Sequence, residues 1–95
     1  MKKAKKILPK PMTTEQILNE RQKTHGDFSD NAIVMQELKR VARAGSSWIK
    51  MSHVQKEAIE MILHKVGRIV AGNPNHVDHW IDIGGYSKLA EDRIK

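Results

Sequence analysis

The sequence contains no cysteine and few aromatic residues: its 95 positions include two Trp, one Tyr and one Phe. Without cysteine, a disulfide scaffold, a thiolate zinc site and a cysteine nucleophile are excluded. No apolar run approaches the roughly 18 residues that cross a bilayer, and no signal-peptide core follows the basic N-terminus. We therefore expect a soluble cytoplasmic protein with no membrane partner. A chain this short forms one small domain with a modest core, which favours self-association into a homo-oligomer.

Acidic residues are missing from the first twelve positions, which hold five lysines and two of the three prolines. The formal net charge is +6, so residues 13–95 are left with +1, six minus five. Because proline restricts the preceding residue to extended conformations, residues 1–12 are predicted to be a flexible basic tail. The tail either keeps the protein in solution or contacts nucleic acid or an acidic partner, whereas the nearly neutral domain at 13–95 does not itself predict DNA binding.

The segment 13–95 carries apolar residues at helical spacing and no alternating strand pattern, so the predicted fold class is all-α, a small bundle of about four helices. Two capping boxes, in which Thr or Ser is followed three residues later by Gln, predict the starts of the first and third helices. Gly72 predicts the end of the third helix, with Pro74 just after it. The predicted helices are about 14–23 after the cap Thr13, 31–44 after Ser29 or Asp30, 53–71 after Ser52, and 76–93 after Asn75.

The predicted third helix is apolar around most of its circumference except for one polar stripe, which spans about 80° of the helical wheel: Glu57, Glu60, His64 and Arg68. One interpretation of this stripe is a solvated face with i,i+4 pairs, and the other is a lined site. Lys65 lies among the apolar positions, so it requires a carboxylate partner or a long reach to water. Glu57 and Glu60 project the same way, which suits a hard cation held by oxygen ligands.

The predicted fourth helix supplies a second acidic pair, Asp78 and Asp82, one turn apart on one face. A wet face, or a favourable interaction of Asp78 with the helix dipole, is the alternative to a site. In an antiparallel hairpin of helices three and four, this pair lies about two to three turns from Glu57 and Glu60. A partner subunit or a strongly angled packing is therefore needed to close one site from both pairs.

Three other features carry alternative interpretations. His76 and His79, with Asp82 three residues further on, form either a transition-metal site or groups at the surface or behind the residues that contact a ligand. The turn at 25–27, in which Gly26 is expected to take a positive φ, is either plain turn chemistry or a ligand contact. Trp48 either covers the core from a loop or stacks on a base.

The segment Glu57-Ala58-Ile59-Glu60, followed by a helix with Asp78 and Asp82, resembles the MazG-like all-α nucleoside triphosphate pyrophosphatases. Over about residues 15–92 the chain also looks like a set of small phage-encoded proteins of unassigned function. That second resemblance rests on His25-Gly26-Asp27-Phe28, Lys56-Glu57-Ala58, Lys65, Arg68-Ile69, Asn73-Pro74 and Asp78-His79-Trp80-Ile81-Asp82-Ile83-Gly84-Gly85-Tyr86.

The resemblance to the pyrophosphatases implies a Mg²⁺ site and a nucleotide ligand. Glu57 and Glu60 are the implied catalytic residues, and the implied Mg²⁺ ligands are Glu57, Glu60, Asp78 and Asp82. The implied nucleotide-binding residues are Lys65, Arg68, His25, Gly26, Asp27 and Tyr86. That family usually shows Glu-x-x-Asp on its second acidic helix, whereas Asp78 and Asp82 are one residue further apart. This difference in spacing argues against catalysis more than against nucleotide binding.

Three functions are consistent with the sequence. The first is a Mg²⁺-dependent enzyme that cleaves a nucleoside triphosphate to monophosphate and pyrophosphate. The second is a non-catalytic nucleotide-binding protein, such as a phage factor that sequesters a signalling nucleotide in the host cytoplasm. The third is a small helical interaction protein whose basic tail docks on nucleic acid or an acidic partner.

Overall fold

The computed structural model describes residues 11–95, and within them the chain is helical with no strand. The all-α prediction with four helices is therefore confirmed, while most of the predicted basic tail, residues 1–10, lies outside the described residues. A short 3₁₀ helix, Trp48–Lys50, joins the second α-helix to the third. The four α-helices are α1 (Thr14–His25), α2 (Phe28–Arg43), α3 (His53–Ala71) and α4 (Val77–Glu91).

Both predicted capping boxes are present. The Thr13 hydroxyl accepts from the Gln16 N–H at 3.1 Å, and the Gln16 side chain accepts from the Thr13 N–H at 2.8 Å. Ser52 and Gln55 make the same reciprocal pair at 3.1 and 2.9 Å. Each pair satisfies two backbone donors that a helix start otherwise leaves unpaired. These local signals fix the starts of α1 and α3 where the sequence predicts them.

The predicted caps of the other two helices are wrong. Asp27, rather than Ser29 or Asp30, caps α2, because its side chain accepts from the Asp30 N–H at 3.2 Å and lets the helix begin three residues early. At α4 the N-cap is His76, with no side-chain capping bond. Asn75 instead belongs to a turn in which its N–H donates to the Asn73 side chain at 2.9 Å.

Helix α3 is the centre of the bundle and packs against the other three helices. It runs antiparallel to α2, since Arg43 at the end of α2 pairs with Glu60, whereas Met35 near its middle abuts Gly67. The short connection 72–76 makes α3 and α4 a second antiparallel hairpin.

The apolar core of the described segment is small. Its buried apolar side chains are Ala58 and Ile69, both on α3, and the same helix buries Lys65. Many large apolar side chains elsewhere in this segment remain exposed. Self-association would cover some of them, and it stays a prediction for this single chain. None of the helices in residues 11–95 combines the length and apolarity required to span a bilayer.

The ends of α1, α3 and α4 meet at one backbone junction. Gly26 has φ +82°, as predicted for the turn at 25–27, and a Cβ there would lie 2.1 Å from the Ala71 carbonyl oxygen. The Thr24 carbonyl accepts from the Asn73 N–H at 3.2 Å and from the His79 side chain at 3.0 Å. This close approach of two backbones holds the C-terminal end of α1 against α3 and α4.

Replacing Gly26 with Ala is expected to destabilise the protein by about 3 kcal/mol or more, because strained φ and backbone overlap add. Urea unfolding followed by circular dichroism measures this loss. Gly84→Ala is the matched control, since a Cβ there meets nothing within 4 Å and Ala favours a helix interior by about 1 kcal/mol. Equal stability changes in the two variants would contradict the role of the junction.

Candidate functional site

A cavity of about 480 Å³ lies between α1, the first part of α2 and the second half of α3. We call it the α1–α3 pocket. Its size is in the range of small-molecule sites. Its lining consists of Leu18, Arg21, Gln22, His25, Gly26, Asp27, Phe28, Asn31, Ala32, Met35, Gln36, Lys39, His64 and Arg68.

Cationic and protonatable side chains from three helices face this pocket: Arg21 and His25, Lys39, and His64 and Arg68. Arg21 and His25 are spaced i,i+4, as are His64 and Arg68, so both members of each pair lie on one helix face. A single carboxylate is found in the lining, that of Asp27, and it already accepts the Asp30 N–H as a helix cap. The pocket therefore concentrates positive charge with little internal compensation.

The electrostatics of Arg68 reflect this imbalance. Partial burial, followed by the nearby charge of Arg21, lowers its pKa, and the charges of Asp82 and Tyr86 act in the opposite direction. The side chain of Arg68 makes no ion pair within 4.0 Å in the described residues. A partly desolvated guanidinium without a bound carboxylate is well suited to an incoming anion.

The two pocket histidines are held in their neutral form. Burial, followed by the charges of Arg68, His79, Arg21 and His76, lowers the pKa of His25 to about 4. Burial, Lys39 and Arg68 also lower the pKa of His64. Both imidazoles are therefore uncharged at neutral pH, and the permanent charge of the pocket comes from two arginines and one lysine.

The α1–α2 side of the pocket is apolar, and its surface is provided by Leu18, Ala32 and Met35. Phe28 is 83% exposed there, although it is aromatic. Asn31 is only 5% exposed, and its amide N–H groups donate to the carbonyls of His25 and of Asp27, the latter at 3.2 Å. Its side-chain oxygen is buried without a hydrogen-bond partner. This oxygen faces Gly67 of α3, where an added Cβ would lie 3.7 Å from it, so it is enclosed by the packing of α2 on α3.

The four predicted Mg²⁺ ligands are not gathered within one chain. Glu60 accepts from Arg43 at 2.8 Å, and Asp82 pairs with Lys65 at 3.0 Å. Glu57 and Asp78 are exposed. Across residues 11–95 no group of three or more His, Cys, Asp or Glu side chains is arranged to hold a metal ion.

The antiparallel α3–α4 hairpin is the physical reason, since residues early in α3 and early in α4 lie at opposite ends of it. These four carboxylates of a single chain do not fit a Mg²⁺ site, and the Mg²⁺ assignment stays a prediction. Lys65, by contrast, has the carboxylate partner that its place among apolar positions requires.

The predicted nucleotide-binding residues divide into two groups. His25, Gly26, Asp27 and Arg68 line the α1–α3 pocket. Lys65 and Tyr86 do not belong to its lining, because Lys65 is turned toward α4 and bonded to Asp82, and Tyr86 lies on α4. Sequence reasoning did not single out Arg21, Phe28, Asn31 and Lys39 as site residues; the i,i+4 spacing of Arg21 and His25, next to the Gly26 turn, is a usable signal.

Three histidine rings cluster beside the junction. The rings of His25 and His79 are 4.8 Å apart between centroids, and those of His76 and His79 are 4.7 Å apart. His79 is 2% exposed and its Nε2 bonds to the Thr24 carbonyl. His79 is engaged by that bond and Asp82 by its pair with Lys65, so two members of the possible transition-metal site formed by His76, His79 and Asp82 already have other partners. The histidine cluster therefore has a packing role.

A family model described as "Domain of unknown function (DUF6378)" matches residues 7–94. The chain belongs to this family. The match includes every residue of the α1–α3 pocket, so the pocket is part of the DUF6378 domain itself. No curated protein and no solved structure matched the chain.

The depressed pKa of His25 makes the stability of this DUF6378 chain depend on pH. Below about pH 6.5 His25 of the unfolded chain takes up a proton, whereas His25 of the folded chain does so only near pH 4. The contribution of His25 to stability is therefore complete above pH 6.5 and is lost between these values. Thermal unfolding from pH 7.5 to pH 4 is expected to show a falling Tm. His25→Gln is expected to reduce this slope, and a slope unchanged by that substitution would contradict the assignment.

Proposed function

We propose that this protein binds a phosphorylated nucleotide in the α1–α3 pocket. The observation that carries the proposal is the set of three permanent cations, Arg21, Lys39 and Arg68, around a cavity whose one carboxylate caps a helix. Bringing these cations together without counter-charge costs free energy in the empty protein. An anion in the pocket recovers that cost, and arginine in particular presents paired N–H donors to phosphate oxygens.

The apolar side of the pocket suits the base of a nucleotide better than a bare inorganic anion. Phe28 exposes an aromatic face at the rim, on which a base is able to stack. A ligand with an aromatic body and a polyanionic end matches both halves of the lining.

Hydrolysis of the bound nucleotide is the second candidate, supported by the resemblance to the MazG-like pyrophosphatases. Glu60 lies one helical turn from His64, which lines the pocket, and its charge favours protonation of that imidazole. Binding without turnover corresponds instead to sequestration of a nucleotide, the role expected of a phage factor directed at host signalling. Glu60 is already paired with Arg43, and this pairing favours binding over catalysis.

Ribonucleoside and deoxyribonucleoside triphosphates are expected to raise the melting temperature of the protein. At 100 times Kd the stabilisation is about 2.7 kcal/mol, which is a rise in Tm of about 10 °C or more for a domain of this size. Differential scanning fluorimetry measures the shift, and Arg68→Gln is expected to abolish most of it. If no nucleotide shifts Tm with or without Mg²⁺, the proposed function is wrong.

The same samples, incubated with Mg²⁺ and assayed for pyrophosphate, separate binding from turnover. Sequestration predicts that the nucleotide is recovered unchanged. Pyrophosphate release that Glu60→Gln abolishes would instead establish the enzymatic candidate.

Truncating Phe28 to Ala is expected to weaken nucleotide binding by about fivefold to 150-fold, because base stacking contributes about 1–3 kcal/mol. Isothermal titration calorimetry measures the affinity, and Phe28→Trp is expected to retain it. Ile49→Ala is the matched control, since Ile49 is equally exposed at 83% and lies outside the pocket. An equal loss in the Ile49 variant would show that Phe28 has no specific contact with the base.

A further inference from the structure

We infer that the α1–α3 pocket binds a ligand that carries two or more linked phosphates and no metal ion. The cations of the pocket neutralise the phosphate charge, as Mg²⁺ does at nucleotide sites built from carboxylates. This inference rests on the proposed function and specifies the ionic form of the ligand. Its basis is the number of cations around the cavity, the helices that supply them and their counter-charge.

The permanent cations of the pocket come from three helices: Arg21 from α1, Lys39 from α2 and Arg68 from α3. We call these three side chains the row. A row that crosses three helices fits an extended anion.

The charge of the row exceeds that of one phosphate group. A phosphate monoester carries about −1.5 to −2 at neutral pH, whereas Arg21, Lys39 and Arg68 supply three permanent positive charges. A diphosphate or triphosphate provides the additional negative charge, and its bridged geometry spreads that charge along the row. Asp27 offsets one of the three charges, so the fit to a polyphosphate depends on the spread of the cations over three helices and not on total charge alone.

The pocket lining contains few ligands for Mg²⁺. Protein-bound Mg²⁺ normally uses one or two carboxylates in addition to the substrate phosphates, and the one pocket carboxylate, Asp27, is engaged as the cap of α2. Glu60 and Asp82 are bonded to Arg43 and Lys65. A Mg²⁺ ion on the phosphates would add two positive charges beside Arg68 and occupy oxygens that the arginines require.

Calorimetric titration of inorganic tripolyphosphate into the full chain tests the inference. In EDTA we expect binding, and in excess Mg²⁺ an affinity at least about tenfold weaker. Orthophosphate in EDTA is expected to bind at least about tenfold more weakly than tripolyphosphate. Tripolyphosphate that binds equally well or better with Mg²⁺, or no more tightly than orthophosphate, would overturn the inference.

Two neighbouring residues provide a matched pair of variants. Lys39→Gln removes a charge from the row, and Arg40→Gln removes one from an exposed position outside the pocket lining, where Arg40 pairs with Glu37. We expect about a tenfold loss of tripolyphosphate affinity in the first variant and little change in the second. Equal losses would mean that only the overall charge of the chain matters, and the row would be rejected.

Titration of ATP in EDTA and in Mg²⁺ distinguishes a failure of metal-free polyphosphate binding from a failure of nucleotide binding. ATP that binds only with Mg²⁺ and is unaffected by Lys39→Gln overturns the metal-free row while leaving nucleotide binding intact. Tripolyphosphate that binds in EDTA while no nucleotide binds supports the row and contradicts the proposed function.

Discussion

The Thr24 carbonyl is the point on which the arrangement of the helices depends. It accepts a backbone N–H from Asn73 and a side-chain N–H from the buried His79, so one oxygen connects α1, the α3–α4 turn and α4. Helix α1 buries none of its residues. Its position is therefore set by this pair of hydrogen bonds, by the bond from the Asn31 side chain to the His25 carbonyl, and by the close approach of Gly26 and Gly72, and not by a buried hydrophobic stripe. Because α1 supplies Arg21 and His25, the junction also determines whether the pocket has its full set of cations.

The distribution of charge separates the pocket from the rest of the surface. Glu60 and Asp82, the partly buried carboxylates of the hairpin helices, are each bonded to a cation, Arg43 or Lys65. The pocket cations have no such partners in the lining, where Asp27 is committed to the backbone. A protein whose net charge outside its first twelve residues is nearly zero thus maintains a locally strong positive potential. The attraction of an anion to the pocket depends on this local excess of positive charge and not on the total charge of the chain.

The sequence was sufficient for features whose cause lies within a few residues. The capping boxes at Thr13 and Ser52, the positive φ of Gly26 and the bounds of α3 all depend on local chemistry, and all are confirmed. The start of α2 was misplaced because Asp27, Ser29 and Asp30 are all competent caps, and the sequence alone does not rank them. At α4, Asn75 was engaged by a turn that competes with capping.

The site was less predictable because it is assembled from three helices. Arg68 was identified from the polar stripe of α3, yet its neighbours Arg21 and Lys39 come from helices whose relative position is fixed by the non-local Thr24 junction. The need of Lys65 for a carboxylate was readable from its apolar surroundings, but the identity of the partner followed only from the hairpin geometry. Acidic pairs at i,i+3 and i,i+4 predicted metal ligands with no information on which cations would compete for them.

The sparse core has a thermodynamic consequence. Because Ala58 and Ile69 are the buried apolar side chains of the described segment, unfolding of one chain exposes less new apolar surface than unfolding of a domain with a larger core. The heat-capacity increment of unfolding is then small, and the stability of the chain varies gently with temperature instead of peaking sharply. In such a molecule, a ligand that bound the proposed pocket would contribute a large share of the total free energy that keeps the chain folded.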